Sequence, residues 1–260
     1  ISPNYSRYAW SRSARYGSHA WYQRDAGGGD LKFSGAVGII NRDQEFIGGT
    51  EQGQYRRWAS GAALDWKGDG PGTIGTTQVG IRHTIAHDDG SSITNRRNSG
   101  GTPVAKMDID VTALQYDVAL PHGLSLRGEN AYSYGIRNYF DPASRINGGA
   151  LAYKRSGHAH TSLLAWRRRS EWGEARAWKR LLPVSTRADV EWVHPNFLTE
   201  LGSAAVDQLR WGMNSDYRWN ESLEWATSFL WNEDNVRRRI VAGGSAPLKN
   251  VNRTTGLRLA

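Results

Sequence analysis

Residues 209 to 231 decide the fold: LRWGMNSDYRW at 209–219, NES at 220–222, then LEWATSFLW at 223–231. Every second residue of the first run is Leu209, Trp211, Met213, Ser215, Tyr217 and Trp219, and the alternate set is Arg210, Gly212, Asn214, Asp216 and Arg218. The second run divides in the same way, with Leu223, Trp225, Thr227, Phe229 and Trp231 opposed to Glu224, Ala226 and Ser228. A period of two is that of a β-strand, and a short polar turn between two such runs makes them antiparallel neighbours. Each run is about ten residues long, the length a tilted strand needs to cross a hydrocarbon layer of roughly 30 Å. One face is apolar with aromatics near its ends, and the other carries both signs of charge. That division predicts a transmembrane barrel, with lipid outside and water within.

Composition fits such a wall. Only 38% of the 260 residues are apolar and the mean hydropathy is −0.63, whereas a soluble globule is nearer half apolar. The 12 Trp and the 11% aromatic content argue against disorder. A barrel with a wet interior has no dry core to fill, so half of every strand can be polar. The sequence has no run of 18 or more apolar residues, which excludes a membrane-spanning helix but not membrane-spanning strands. Ile1 does not open a basic stretch followed by an apolar one, so an exported protein is expected here in its mature or trimmed form. The absence of Cys excludes disulfides and thiolate metal sites. The formal charge is +8, and of 33 basic residues only six are Lys. Arginine dominates where planar anions are held by forked hydrogen bonds. The expected partner is therefore anionic: a uronate, sialate or sulfated sugar, a lipid phosphate, or nucleic acid.

Along the chain, two kinds of connection alternate. The tight ones are 25–30, 68–72, 121–123, 156–157, 183–185 and 220–222, and the long polar ones are 42–52, 89–105, 139–147, 195–205 and 232–249. Outer-membrane barrels show this asymmetry, with short turns on one side and long loops on the other. The parity predicts one domain, 1–260, of about fourteen strands (twelve to sixteen by this reading) near 5–11, 18–24, 31–41, 53–67, 73–88, 105–120, 124–138, 148–155, 158–169, 174–182, 186–194, 206–219, 223–234 and 250–260. The run 107–120 changes hydropathic phase around Thr112, which reads as a bulge or as a strand extending past the membrane.

The alternation points Arg57, Arg82, Arg127, Arg167, Arg187, Arg210, Arg218 and Arg258 inward, with Asp65, Glu129, Asp189, Glu191, Asp216 and Glu224. Such rings set the electrostatic preference of a pore; structurally, the same groups would cross-link neighbouring strands. An excess of Arg over acid favours the pore reading. The triplets 167–169 and 237–239 belong at strand ends or in loops, because consecutive residues cannot share a strand face. Trp58, Trp66, Trp192, Trp211, Tyr217, Trp219, Trp225 and Trp231 fit interfacial girdles, the competing reading being sugar-stacking platforms. No catalytic motif is present. His158 and His160 share a strand face but lack further metal ligands, and 88–92 departs from calcium-loop spacing. No enzyme activity, metal or cofactor is expected. Without a recognition helix, zinc motif or aromatic RNA-binding strand, nucleic acid is not expected either.

The alternation, turn asymmetry and girdles resemble the monomeric outer-membrane porins of Gram-negative bacteria, most nearly the twelve- to fourteen-stranded channels for acidic oligosaccharides. The resemblance implies residence in the bacterial outer membrane, contact with the bilayer and lipopolysaccharide, insertion by the barrel-assembly machinery, and transport of an anionic saccharide or other small anion. Such barrels end in an aromatic residue, whereas this sequence ends Gly256-Leu257-Arg258-Leu259-Ala260. That departure fits a second reading, the barrel domain of a polysaccharide or protein exporter carrying a periplasmic repeat domain. A third, from another class, is a soluble all-β carbohydrate-binding protein.

Overall fold

We describe the fold from a computed structural model, over residues 7, 9–10, 16–44, 53–89, 107–139, 151–168, 182–197, 207–220, 223–234 and 250–259. The chain is all-β. Eleven strands form one sheet in chain order: β1 (Tyr16–Ala26), β2 (Gly29–Gln44), β3 (Gly53–Asp69), β4 (Thr76–Asp88), β5 (Met107–Ala119), β6 (Leu124–Tyr139), β7 (Leu151–Arg167), β8 (Ser185–Val193), β9 (Gln208–Asn220), β10 (Leu223–Asp234) and β11 (Asn250–Leu259). Each strand pairs antiparallel with the next, so β1 and β11 run the same way and are the edges among the described residues.

The tight connections form where the backbone is permitted to turn. Gly27 and Gly28 both take positive φ (61° and 76°) and close the β1–β2 hairpin in two residues, the geometry that matches strand twist. Between β3 and β4, Gly70 N–H donates to the Gly75 carbonyl at 3.0 Å. Between β5 and β6 a short 3-10 turn, Pro121–Gly123, is closed by Leu120 N–H donating to the Leu124 carbonyl at 2.8 Å.

The expected fourteen strands are corrected to eleven among the described residues. Of the expected strand 5–11 only three residues are described, and none is in a strand of the sheet: Arg7 and Ala9 lie in turns and Trp10 makes an isolated bridge. The segments 148–155 and 158–169 are one continuous strand, β7, because Ser156-Gly157 is not a turn. Gly157 is there for another reason. The chain after β8 folds back, with His194 N–H donating to the His158 carbonyl at 2.9 Å. A Cβ on Gly157 would lie 2.3 Å from the Phe197 backbone nitrogen. Glycine inside a strand often marks such a close backbone approach. The expected strand 174–182 lies almost entirely outside the described residues.

Burial separates the two faces in an unusual sense. Along β4, Arg82, Thr84, Ala86 and Asp88 are buried while Ile81, His83, Ile85 and His87 are exposed. Across the sheet the covered face is polar or small, and the open face carries Phe33, Trp58, Leu64, Leu114, Tyr132, Leu164, Trp211 and Met213. A water-soluble sheet buries its large apolar side chains and exposes its charges; this one does the reverse on β2–β6, whereas β1 and β11 are exposed on both faces and on β9 Arg210, Asn214, Asp216 and Arg218 are exposed along with Trp211 and Met213.

The change of phase in β5 is real but involves no bulge, since its register with β4 and β6 is unbroken through Thr112. Ile109, Val111 and Ala113 fall on the covered face and Asp108 and Asp110 on the open one. Ala9 and Phe197 share a buried cluster with Ile109, Val111, Ala113, Ala131, Ala159 and Val193. At this level the covered face is dry, so it takes apolar residues, and the strand continues toward the long 89–106 connection.

Replacing Gly157 by Val is expected to lower stability by about 2 kcal/mol or more, through displacement of the Phe197 backbone. Gly35→Ala, whose Cβ would meet nothing nearer than 3.9 Å, is expected to be close to neutral. Thermal unfolding in detergent of both variants checks the contrast; equal Tm values would show that Phe197 is not seated on Gly157.

Candidate functional site

The ladder register carries Arg57, Arg82, Arg127, Glu129, Arg167, Arg187, Asp189, Arg210, Asp216, Arg218 and Arg258 to the same, polar face of the sheet. Asp65, Glu191 and Glu224 join them. The face is shared, but the environments differ.

Over β3–β6 the arginines are spoken for. Arg57 sits directly opposite Asp88 and grips it with two bonds, Nε to Oδ1 at 2.5 Å and Nη2 to Oδ2 at 3.1 Å, both side chains almost fully buried. Arg82 donates to Asp65 on the neighbouring strand. Gly80 makes room for that pair, because a side chain there would fall on both partners. Arg127 faces Asp117 across the β5–β6 ladder, with Nε 2.8 Å and Nη2 2.6 Å from Oδ2. Glu129 accepts from Gln115 Nε2 at 3.2 Å. Asp65, Arg82, Gln115, Asp117, Arg127 and Glu129 line a cavity of about 290 Å³.

Over β7–β11 the pattern loosens. Arg218 pairs with Glu224 at 3.1 Å, and Ser185 donates to Asp216 at 2.6 Å. Arg167, Arg187, Arg210 and Arg258 are exposed and make no ion pair among the described residues. Arg187 and Arg258 flank a groove of about 510 Å³ with Asn214, Asp216 and Ser228 between them, and Gly256 leaves its floor open.

The register also corrects the balance of charge. Asp25, Asp30, Asp69, Asp88, Asp117 and Asp234 share the polar face, as do Lys32, Lys67 and Arg155. The two signs there are close to balanced, so the net +8 is not concentrated on this wall. Sequence reasoning missed Asp88 because it sits at a loop border. It missed Asp117 because the phase of 107–120 was in doubt. Their signal was register: each lies opposite an arginine already singled out.

The aromatics expected in girdles all lie on the open face. Tyr217 stacks on Trp225 at 5.1 Å, Trp211 on Trp231 at 6.4 Å, and Arg253 caps Trp231 at 4.0 Å. Trp66 donates to the Ala26 carbonyl at 3.2 Å, beside the β1–β2 turn. Trp10 and Trp21 are exceptions, placed on the polar face. Polar residues interrupt the open face at His83 and His160, but they bond within the wall: His83 Nδ1 lies 3.0 Å from Thr112 Oγ1, and His160 Nδ1 2.7 Å from Asn130 Oδ1. His158 lies against the Tyr132 ring, and among the described residues no three His, Asp or Glu are placed to hold a metal. Of the Arg triplets, Arg167 ends β7 and Arg168 follows it; 169 and 237–239 lie outside the described residues.

Comparison with known protein families, curated proteins and solved structures returned no match to this chain.

Truncating Arg57 to Ala leaves the Asp88 carboxylate buried without its fork, an arrangement that typically costs about 3–5 kcal/mol. The double replacement of Arg57 by Met and Asp88 by Leu is expected to recover most of that loss. Denaturant titration of the three proteins checks this; a double variant as unstable as the single would remove the buried charge as the cause.

Proposed function

We propose that the chain forms the wall of an outer-membrane channel, an up-and-down β-barrel that passes anionic solutes, acidic saccharides among them. The observation that carries this reading is the inverted burial. On β3–β6 large apolar and aromatic side chains such as Trp58, Leu64, Ile81, Leu114 and Tyr132 are exposed on one face of the sheet, while Arg57, Arg82, Asp88 and Glu129 are buried on the other. Lipid is the solvent that rewards such a division. No helix among the described residues is long and apolar enough to cross a membrane, which bears only on helices.

Curvature is supported by a short chord. Arg7 bonds Glu191 on β8, while Trp10 packs among residues of β2, β3 and β4. Three residues of extended chain cover at most about 10 Å. On a flat sheet, the four strand spacings from β4, the nearest strand of that cluster, to β8 would measure about 19 Å. A sheet that curls toward itself brings the two ends of that chord within reach.

The basis for anion preference narrows to particular residues. Arg57, Arg82, Arg127 and Arg218 are neutralised by cross-strand carboxylates, and pairs of this kind chiefly stiffen the wall. Arg187, Arg210 and Arg258 are exposed on the polar face and present forked donors to a passing carboxylate or sulfate. Binding there stays weak enough for release because water reaches the same groups. The stacked aromatic pairs also suit a soluble sugar-binding protein. Extraction without detergent, and gel migration unchanged by boiling, would move the reading to that class.

In planar bilayers the wild type is expected to prefer anions. Replacing Arg187, Arg210 and Arg258 by Gln is expected to lower that preference stepwise, with stability little changed because none of the three is paired. A wild type that prefers cations would overturn the assignment of the path.

A further inference from the structure

We infer that Arg7, Ala9 and Trp10 form an internal plug, seated on the polar face, whose withdrawal opens the bore; the consequence for conduction rests on the channel reading above. Such a wall should enclose water, and at this level it does not. Trp10 is 1% exposed and Ala9 0%. The indole lies with Ala36, Ala59, Ala63, Ala86 and Ile40 in one buried cluster. The alanines leave depth for a ring, which a wall of larger residues would exclude. A tryptophan buried in this way removes a large apolar area from water.

Three further contacts orient the segment. Thr84 Oγ1 donates to the Ala9 carbonyl at 3.3 Å, from the centre of β4. Ala9 shares its cluster with Phe197, seated on Gly157 of β7. Arg7 Nη2 lies 2.7 Å from Glu191 Oε1 on β8; the carboxylate is buried and the guanidinium is about half exposed. The segment therefore crosses the face from β8 toward β2, tied at one end by charge and at the other by an aromatic ring. The charged end is the weaker tie, because solvent screens a half-exposed arginine. The crossing lies toward the long-connection ends of the strands, where β5 turns Ile109 and Val111 inward to meet it. The cavity bounded by Arg82, Arg127 and Glu129 and the groove at Arg187 and Arg258 lie nearer the short-turn ends and stay polar.

The test uses the full chain, whose lack of cysteine makes any introduced thiol unique. In Ala9→Cys, maleimide labelling of the folded protein is expected to be slow. Adding Arg7→Glu is expected to raise the labelling rate about tenfold by favouring local opening. The further exchange Glu191→Arg, which restores the pair with reversed sign, is expected to bring it back down. Fast labelling of Ala9→Cys in an otherwise folded protein would overturn the plug without reference to conduction. Should Ala9→Cys not fold, the same series is read at Trp10→Cys. In bilayers, Arg7→Glu with Trp10→Ala is expected to conduct severalfold more than the wild type. Equal, nonzero conductance in the two would also overturn the plug. If neither protein conducts while the labelling series behaves as expected, the plug stands and the channel reading falls.

Discussion

Each inner strand is laddered by backbone hydrogen bonds to both of its neighbours, and the rest of the structure depends on that ladder. Once the ladder is continuous, side chains project strictly to one face or the other, and a slip of one residue would exchange the faces. Eleven strands held in unbroken succession therefore sort the whole chain into two surfaces. What each surface then contains is set by the medium it meets. The open face carries aromatics and aliphatics, and the covered face carries guanidinium groups, carboxylates, alanines and glycines.

The covered face is not uniform. Near the short turns it is polar, cross-linked by Arg127 with Asp117 and, toward the middle, by Arg82 with Asp65. Toward the long connections it becomes dry, floored by alanines and filled by Ala9, Trp10 and Phe197. The buried pair Arg57–Asp88 lies in that upper region, where a single unpaired charge would be costly and a forked pair is tolerated. Small residues serve both regions. Gly80 clears space for an ion pair and Gly157 for a backbone, so the same residue type supports opposite kinds of packing.

The distribution of charge separates architecture from candidate function. Arginines paired across a ladder have fixed partners and hold strands in register. Those on β8, β9 and β11 without such partners retain the capacity to meet an anion. A count of basic residues does not distinguish the two; the position of the opposite carboxylate does.

Period-two alternation, read at Leu209–Trp231 and elsewhere, was enough to set the all-β class, the antiparallel meander and the face on which each candidate arginine lies, because strand geometry ties face to parity and nothing more distant is needed. The strand count was not legible. Ser156-Gly157 has the composition of a turn, and only the return of the chain to place Phe197 on Gly157 shows why glycine is there within β7. The pairing of Arg57 with Asp88 and of Arg127 with Asp117, and the burial of Trp10 among Ala36, Ala59, Ala63 and Ala86, were likewise decided by tertiary structure. Each joins residues far apart in the chain, and local periodicity carries no information about which distant group arrives opposite.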